Sequence, residues 1–170
     1  MNFKKMVINS LVVSFLSGSS MSVLANELPF KIAVIQNAVG SKDIVSGNYN
    51  KFINSLPSDK TSDTAFEKNM SLCAAYIKIA EYDKSESACT VAINALKSIK
   101  LPKKKSSYLK ALSLSNRGVS RYLSNDITGS MDDFTMAMLV DANTITKSNL
   151  TIAKHSLLTF EEKSSVTLSD

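Results

Sequence analysis

From residue 66 onward, apolar side chains recur every three or four positions, the spacing that lines one face of an α-helix. Phe66, Met70, Cys73, Tyr76, Ile77 and Ala80 make the first such stripe. A polar break at Glu81-Tyr82-Asp83 follows. Asp83 with Glu86 three residues later has the form of a capping box, whose side chains satisfy otherwise unpaired backbone N–H groups. A second helix carries Ser85, Ala88, Cys89, Ala92, Ile93, Leu96 and Ile99 on its buried stripe. It stops at Leu101-Pro102, because proline cannot continue the hydrogen-bond ladder. Lys103, Lys104 and Lys105 read as a solvated linker, with Ser106 or Ser107 capping a third helix that carries Leu109, Leu112, Asn116, Val119 and Leu123. Beyond Ser124-Asn125-Asp126, a fourth helix carries Ile127, Met131, Phe134, Ala137 and Met138. Beyond residues 141–144, a fifth carries Leu150, Ala153, Leu157 and Phe160. Residues 161–170 form a polar tail that is expected to fray.

The two hairpins overlay at an offset of 45 residues: Cys73 falls on Gly118, Ser85 on Ser130, Cys89 on Phe134, Ala92 on Ala137 and Ile93 on Met138. A repeat is the economical explanation. Upstream, Ile44, Gly47, Tyr49 and Leu56 match Ile77, Ala80, Tyr82 and Cys89 at an offset of 33, which suggests an incomplete earlier unit. Residues 30–39 are apolar and read as a short strand or an extended piece packing on the stack. The expected architecture is all-α: stacked antiparallel helix hairpins over residues 61–160, about two and a half repeats, behind an N-terminal segment at 26–60.

These residues carry a family resemblance. Leu72-Cys73, Tyr76, Ser85, Cys89 and Ala92 look like the leucine-glycine, tyrosine, alanine, phenylalanine and alanine places of a tetratricopeptide repeat. In the second unit Gly118, Ser130, Phe134 and Ala137 occupy the matching places, with Ala142 where the family usually has proline. Arg117 and Arg121 depart from the usual leucine and tyrosine, and the 45-residue offset exceeds the family's usual 34. The chain is similar to small, exported, cysteine-bearing tetratricopeptide proteins of gammaproteobacteria. The resemblance implies an α-solenoid whose concave side, lined by the first helix of each unit, binds an extended peptide or partner helix. Asn116 and Asn149 fall near the places where many such repeats present an asparagine to a ligand backbone, and an amide both donates and accepts, matching a peptide bond. Arg117 and Arg121 would add groups facing a carboxylate. Each has a plainer reading: Asn116 bonding within the stack, and the arginines standing in solvent.

The first 25 residues change the expected compartment. Lys4 and Lys5 precede an apolar stretch over residues 6–16, then small polar residues leading to Val23-Leu24-Ala25, the pattern of a secretory signal peptide cut between Ala25 and Asn26. The apolar core is shorter than the roughly 20 residues that span a bilayer. A periplasmic or secreted product follows, and in that setting two cysteines make one bridge. Cys73 and Cys89 are centred on residue 81, inside the predicted turn. Each therefore lies about eight residues, or roughly 12 Å of helical rise, from the bend, level with the other. Without Cys-x-x-Cys spacing the bridge reads as structural.

Composition narrows the classes further. The 170 residues are 44% hydrophobic, 7% aromatic and 21% charged, which excludes collagen, low-complexity polymer and multi-pass membrane protein. Two of the 20 Lys+Arg lie in the leader, so the mature excess over 15 Asp+Glu is +3, too small for a nucleic-acid surface. His155 is the only histidine and has no clustered ligands or triad partners around it in sequence. Five dispersed glycines make no phosphate loop, and Asp132-Asp133 and Glu161-Glu162 are adjacent pairs that point to different helix sides and read as solvated faces. The expected function is a non-enzymatic, exported protein-binding module without metal or cofactor. The alternative is a structural envelope protein that self-associates through an uncapped end of the stack, the helix at 145–160.

Overall fold

The computed structural model describes residues 29–56 and 65–166; the predicted leader and its cleavage site lie outside them. Among the described residues there are seven α-helices and no strand. They are α1 (Ser41–Val45), α2 (Tyr49–Ser55), α3 (Ala65–Lys78), α4 (Tyr82–Ala95), α5 (Lys103–Leu123), α6 (Ile127–Val140) and α7 (Thr144–Val166), with one 3-10 turn at Leu96–Ser98 after α4. α3 pairs with α4, α5 pairs with α6, and α4 lies against α5. α7 packs on α5 and α6, while α1 and α2 pack on α3. No helix among the described residues is long and apolar enough to cross a membrane.

The hairpins are bent by one turn design used three times. After α3, Glu81 N–H donates to Tyr76 C=O at 2.9 Å and Ala80 N–H to Ile77 C=O at 3.2 Å, with Ala80 left-handed at φ 60°. This is the Schellman arrangement, which satisfies the last carbonyls of a helix. After α5 the same pair of bonds runs from Asp126 to Arg121 and from Asn125 to Tyr122, with Asn125 at φ 70°. After α1 it runs from Asn48 to Asp43 and from Gly47 to Ile44, with Gly47 at φ 78°. These positions are offset by 45 and by 33 residues, the two offsets in the sequence pattern. Glycine, alanine and asparagine thus occupy one left-handed site, and only glycine does so without steric penalty. Ala80 is exposed, so Ala80→Gly removes that penalty and no packing. It is expected to raise unfolding free energy by about 1 kcal/mol, read from a urea midpoint at unchanged slope.

Cys73 and Cys89 form a disulfide with Cα atoms 5.1 Å apart, both fully buried. At the same level of the next hairpin, a Cβ on Gly118 would lie 2.8 Å from the Phe134 ring. A covalent bridge and a ring against bare backbone thus fill equivalent gaps. The bridge closes a loop of 16 residues, so the Cys73→Ala, Cys89→Ala double variant is expected to lose about 3 kcal/mol. Unfolded but unreduced wild-type protein should take up no thiol reagent; two adducts per chain would remove the bridge.

Several boundaries differ from expectation. α5 starts at Lys103, with Pro102 as its N-cap and no side-chain cap, three residues before the expected serine. The three lysines are its exposed first turn, and Ser106 N–H closes that turn on Pro102 C=O at 3.0 Å. The Asp83–Glu86 capping box does not form, since α4 begins behind Glu81 and Asp83 lies exposed. α7 continues to Val166, through much of the expected tail.

Candidate peptide groove

The first helices of the hairpins and the last helix, α3, α5 and α7, share a face, and on it lies the extended segment 30–35 of the same chain. Three core clusters meet along this segment. Phe30 belongs to the cluster of Cys73, Ile77 and Val119, and Ala33 to that of Phe66, Met70 and Leu112. Val34 packs on the cluster of Ile44 and Phe52, under α1 and α2. An extended backbone in such a place must find partners for its N–H and C=O groups, because unpaired ones are costly away from water.

Two asparagine side chains supply them. Asn116, fully buried in the middle of α5, accepts from Ala33 N–H through Oδ1 and donates to Ala33 C=O through Nδ2, both at 2.8 Å. Asn149, fully buried on α7, does the same for Lys31, again at 2.8 Å in both directions. Asn149 Nδ2 is also 3.0 Å from Ser115 Oγ. Residues 31 and 33 present their backbone groups to the same edge of an extended chain. The two amides therefore act as a partner strand reduced to its hydrogen-bonding groups. This explains how an extended segment is satisfied within an all-helical protein.

Side chains complete the fit. Phe30, 5% exposed, meets Tyr122 edge-on at 4.9 Å and stacks on Phe134 at 5.6 Å between centroids. Phe134 comes from α6 and sits against the bare backbone of Gly118. Ala33 is 2% exposed, whereas the Lys31 side chain is exposed. Where the segment leaves the groove, a cavity of about 570 Å³ opens among Val34, Ile35, Phe66, Leu109 and Leu112, with Glu67 and Lys105 in its wall.

Arg117 and Arg121, expected to face a ligand carboxylate, are engaged with the chain's own carboxylates. Arg117 grips Asp133 bidentately at 2.8 and 2.7 Å and reaches Thr90 Oγ1 at 3.1 Å. Arg121 donates twice to Glu86 Oε1, at 2.9 and 2.7 Å, and its Nη1 lies 3.1 Å from Asp133 Oδ2. One position beyond Asn116 is 100° further round the helix, which turns Arg117 toward α4 and α6. Burial disfavours the Arg121 charge, but the Glu86 hydrogen bond and the carboxylates of Asp133, Glu86 and Asp126 outweigh it and raise its pKa. Asp133, expected on a solvated face, is 3% exposed, while its neighbour Asp132 is exposed.

The network has a signature in the sequence, a charge pair at equal distance from the turn. Arg117 and Asp133 are each eight residues from Asn125, the centre of their turn, and so lie level. At the 45-residue offset they replace Leu72 and Ala88, a paired exchange of apolar for opposite charge. His155 stands exposed on α7, and no group of three metal-ligating side chains occurs among the described residues. Compared with protein-family models, with curated proteins and with solved structures, the chain matches none.

Proposed function

We propose that this chain is a non-enzymatic interaction module of the tetratricopeptide type, exported to the cell envelope, that holds an extended partner segment in the groove of α3, α5 and α7. One observation carries the reading: Asn116 and Asn149 each pair the N–H and the C=O of one residue with an acceptor and a donor, so the groove is built to grip extended backbone. The occupant defines the chemistry a partner must offer. It has an aromatic residue first, any residue second, an aliphatic third, a small fourth, then two aliphatic residues, as in residues 30–35. A partner competes with the chain's own segment, whose tethered local concentration is of millimolar order. Export is supported by the leader pattern and by the disulfide, since such bonds persist in oxidising compartments.

The non-enzymatic reading is favoured because Asp133, the one buried carboxylate among the described residues, is held by two guanidinium groups, an architectural use. The alternative of end-to-end self-association draws little support from α7. Its Lys147, Thr151, Lys154 and His155 are exposed, and Leu158 is its one exposed large apolar residue among those described. A labelled peptide copying residues 29–36 tests the groove. It should bind the Phe30→Ala protein at least tenfold more tightly than wild type, and a peptide with alanine for its phenylalanine should bind neither. Equal binding of both peptides, or none, overturns the reading.

A further inference from the structure

We propose that two copies of this chain exchange residues 29–36, each copy's segment seated in the other's groove. The contacts that hold the segment come from residues far along the chain: Asn116 is 83 positions from Ala33, and Asn149 is 118 from Lys31. None depends on which copy the segment belongs to. The amides read backbone, the slot between Tyr122 and Phe134 reads an aromatic ring, and a second copy offers both unchanged. A two-fold exchange fills both grooves and leaves no segment without a seat.

The connection between segment and helices has the character of a hinge. Gln36 and Asn37 are exposed, and Ala38 N–H and Ser41 N–H close tight turns on Ile35 and Ala38 carbonyls at 3.2 and 3.0 Å. Two residues of this short stretch are left-handed, Asn37 at φ 61° and Gly40 at φ 79°. Asparagine tolerates the left-handed region better than other side chains but less well than glycine, so extending the hinge at Asn37 into a second copy releases a small strain. Short, strained hinges favour exchange over intramolecular seating. Gly40 lies against Phe52, into whose ring a Cβ at this position would run. The seat in the same chain retains a local concentration of millimolar order, so the exchanged dimer accumulates on refolding concentrated protein and persists on dilution. This inference does not rest on a foreign partner.

Two measurements on the full chain test it. Wild type refolded across a concentration series is expected to give a dimer of unchanged helicity. Asn37→Gly, which relaxes the hinge in the monomer, should reduce the dimer-to-monomer ratio about threefold. In the second, a copy with a disabled segment (Phe30→Ala, Ala33→Asp) is co-refolded with a copy with disabled clamps (Asn116→Ala, Asn149→Ala), and native mass spectrometry counts the products. Only the mixed pair can form one intact groove-segment contact, so heterodimer should exceed both homodimers together at least tenfold. Wild type that stays monomeric up to millimolar concentration overturns the proposal. So does a statistical mixture of dimers, the signature of face-to-face association.

Discussion

Asn116→Ala is expected to lower the unfolding free energy by about 3 kcal/mol, more than any exposed substitution in the protein. Asn116 is fully buried, and its amide is the partner of both Ala33 N–H and Ala33 C=O. Truncation strands two buried backbone groups at once, each worth about 1–3 kcal/mol when left unpaired. Asn116→Asp is the sharper control, because it preserves shape. It keeps an acceptor for Ala33 N–H but sets a carboxylate oxygen against Ala33 C=O, so it should be at least as damaging. Lys31→Ala, which alters an exposed side chain whose backbone alone is gripped, should change stability by less than about 0.5 kcal/mol. Urea unfolding measures all three, and amide exchange at residues 31 and 33 should speed up selectively in Asn116→Ala. A loss below about 1 kcal/mol would mean that the segment is held by apolar packing alone.

This residue also marks how far the sequence could be read. Helical spacing put Asn116 on a buried stripe beside Leu112 and Val119, and an amide there required a polar partner. Both candidate partners, a ligand backbone and the stack itself, were legible. The structure joins the two ideas, since the partner is extended backbone belonging to the chain. Periodicity identifies the buried face of a helix but is silent on what covers it, and a contact across 83 residues leaves no local trace. The level pairs are different. Cys73–Cys89 and Gly118–Phe134 followed from distance to a turn, because in an antiparallel hairpin equal separation from the bend means equal height. The arginines misled for a similar reason. Taken singly, Arg117 and Arg121 read as groups facing a ligand carboxylate or solvent, although Asp133 stands level with Arg117 across the same turn. The start of α5 misled because three lysines oppose the positive end of a helix dipole. Buried Leu109 and Leu112 outweigh that unfavourable first turn.

The charged network gives the second large effect and shows what it replaced. Asp133→Ala leaves the guanidinium groups of Arg117 and Arg121 facing each other, with side chains only 18% and 22% exposed. Arg121 still holds Glu86, but Arg117 is left with Thr90, and breaking a buried ion pair from one side costs about 3–5 kcal/mol when the remaining charge is uncompensated. Asp133→Asn keeps one acceptor in place and should lose roughly half as much. The decisive variant changes all three residues. At the 45-residue offset Arg117, Arg121 and Asp133 correspond to Leu72, Tyr76 and Ala88 of the first hairpin. The triple variant Arg117→Leu, Arg121→Tyr, Asp133→Ala therefore writes that apolar solution into the second. Well-packed apolar replacements of buried ion networks are often neutral or stabilising, and Glu86, at 36% side-chain exposure, can return to water. The triple variant should melt within a few degrees of wild type while Asp133→Ala alone melts far below it. That result would make the network an alternative packing solution whose charges also fix which faces of α4, α5 and α6 meet. A triple variant as unstable as the single one would show instead that the second hairpin has diverged too far from the first for its apolar set to fit.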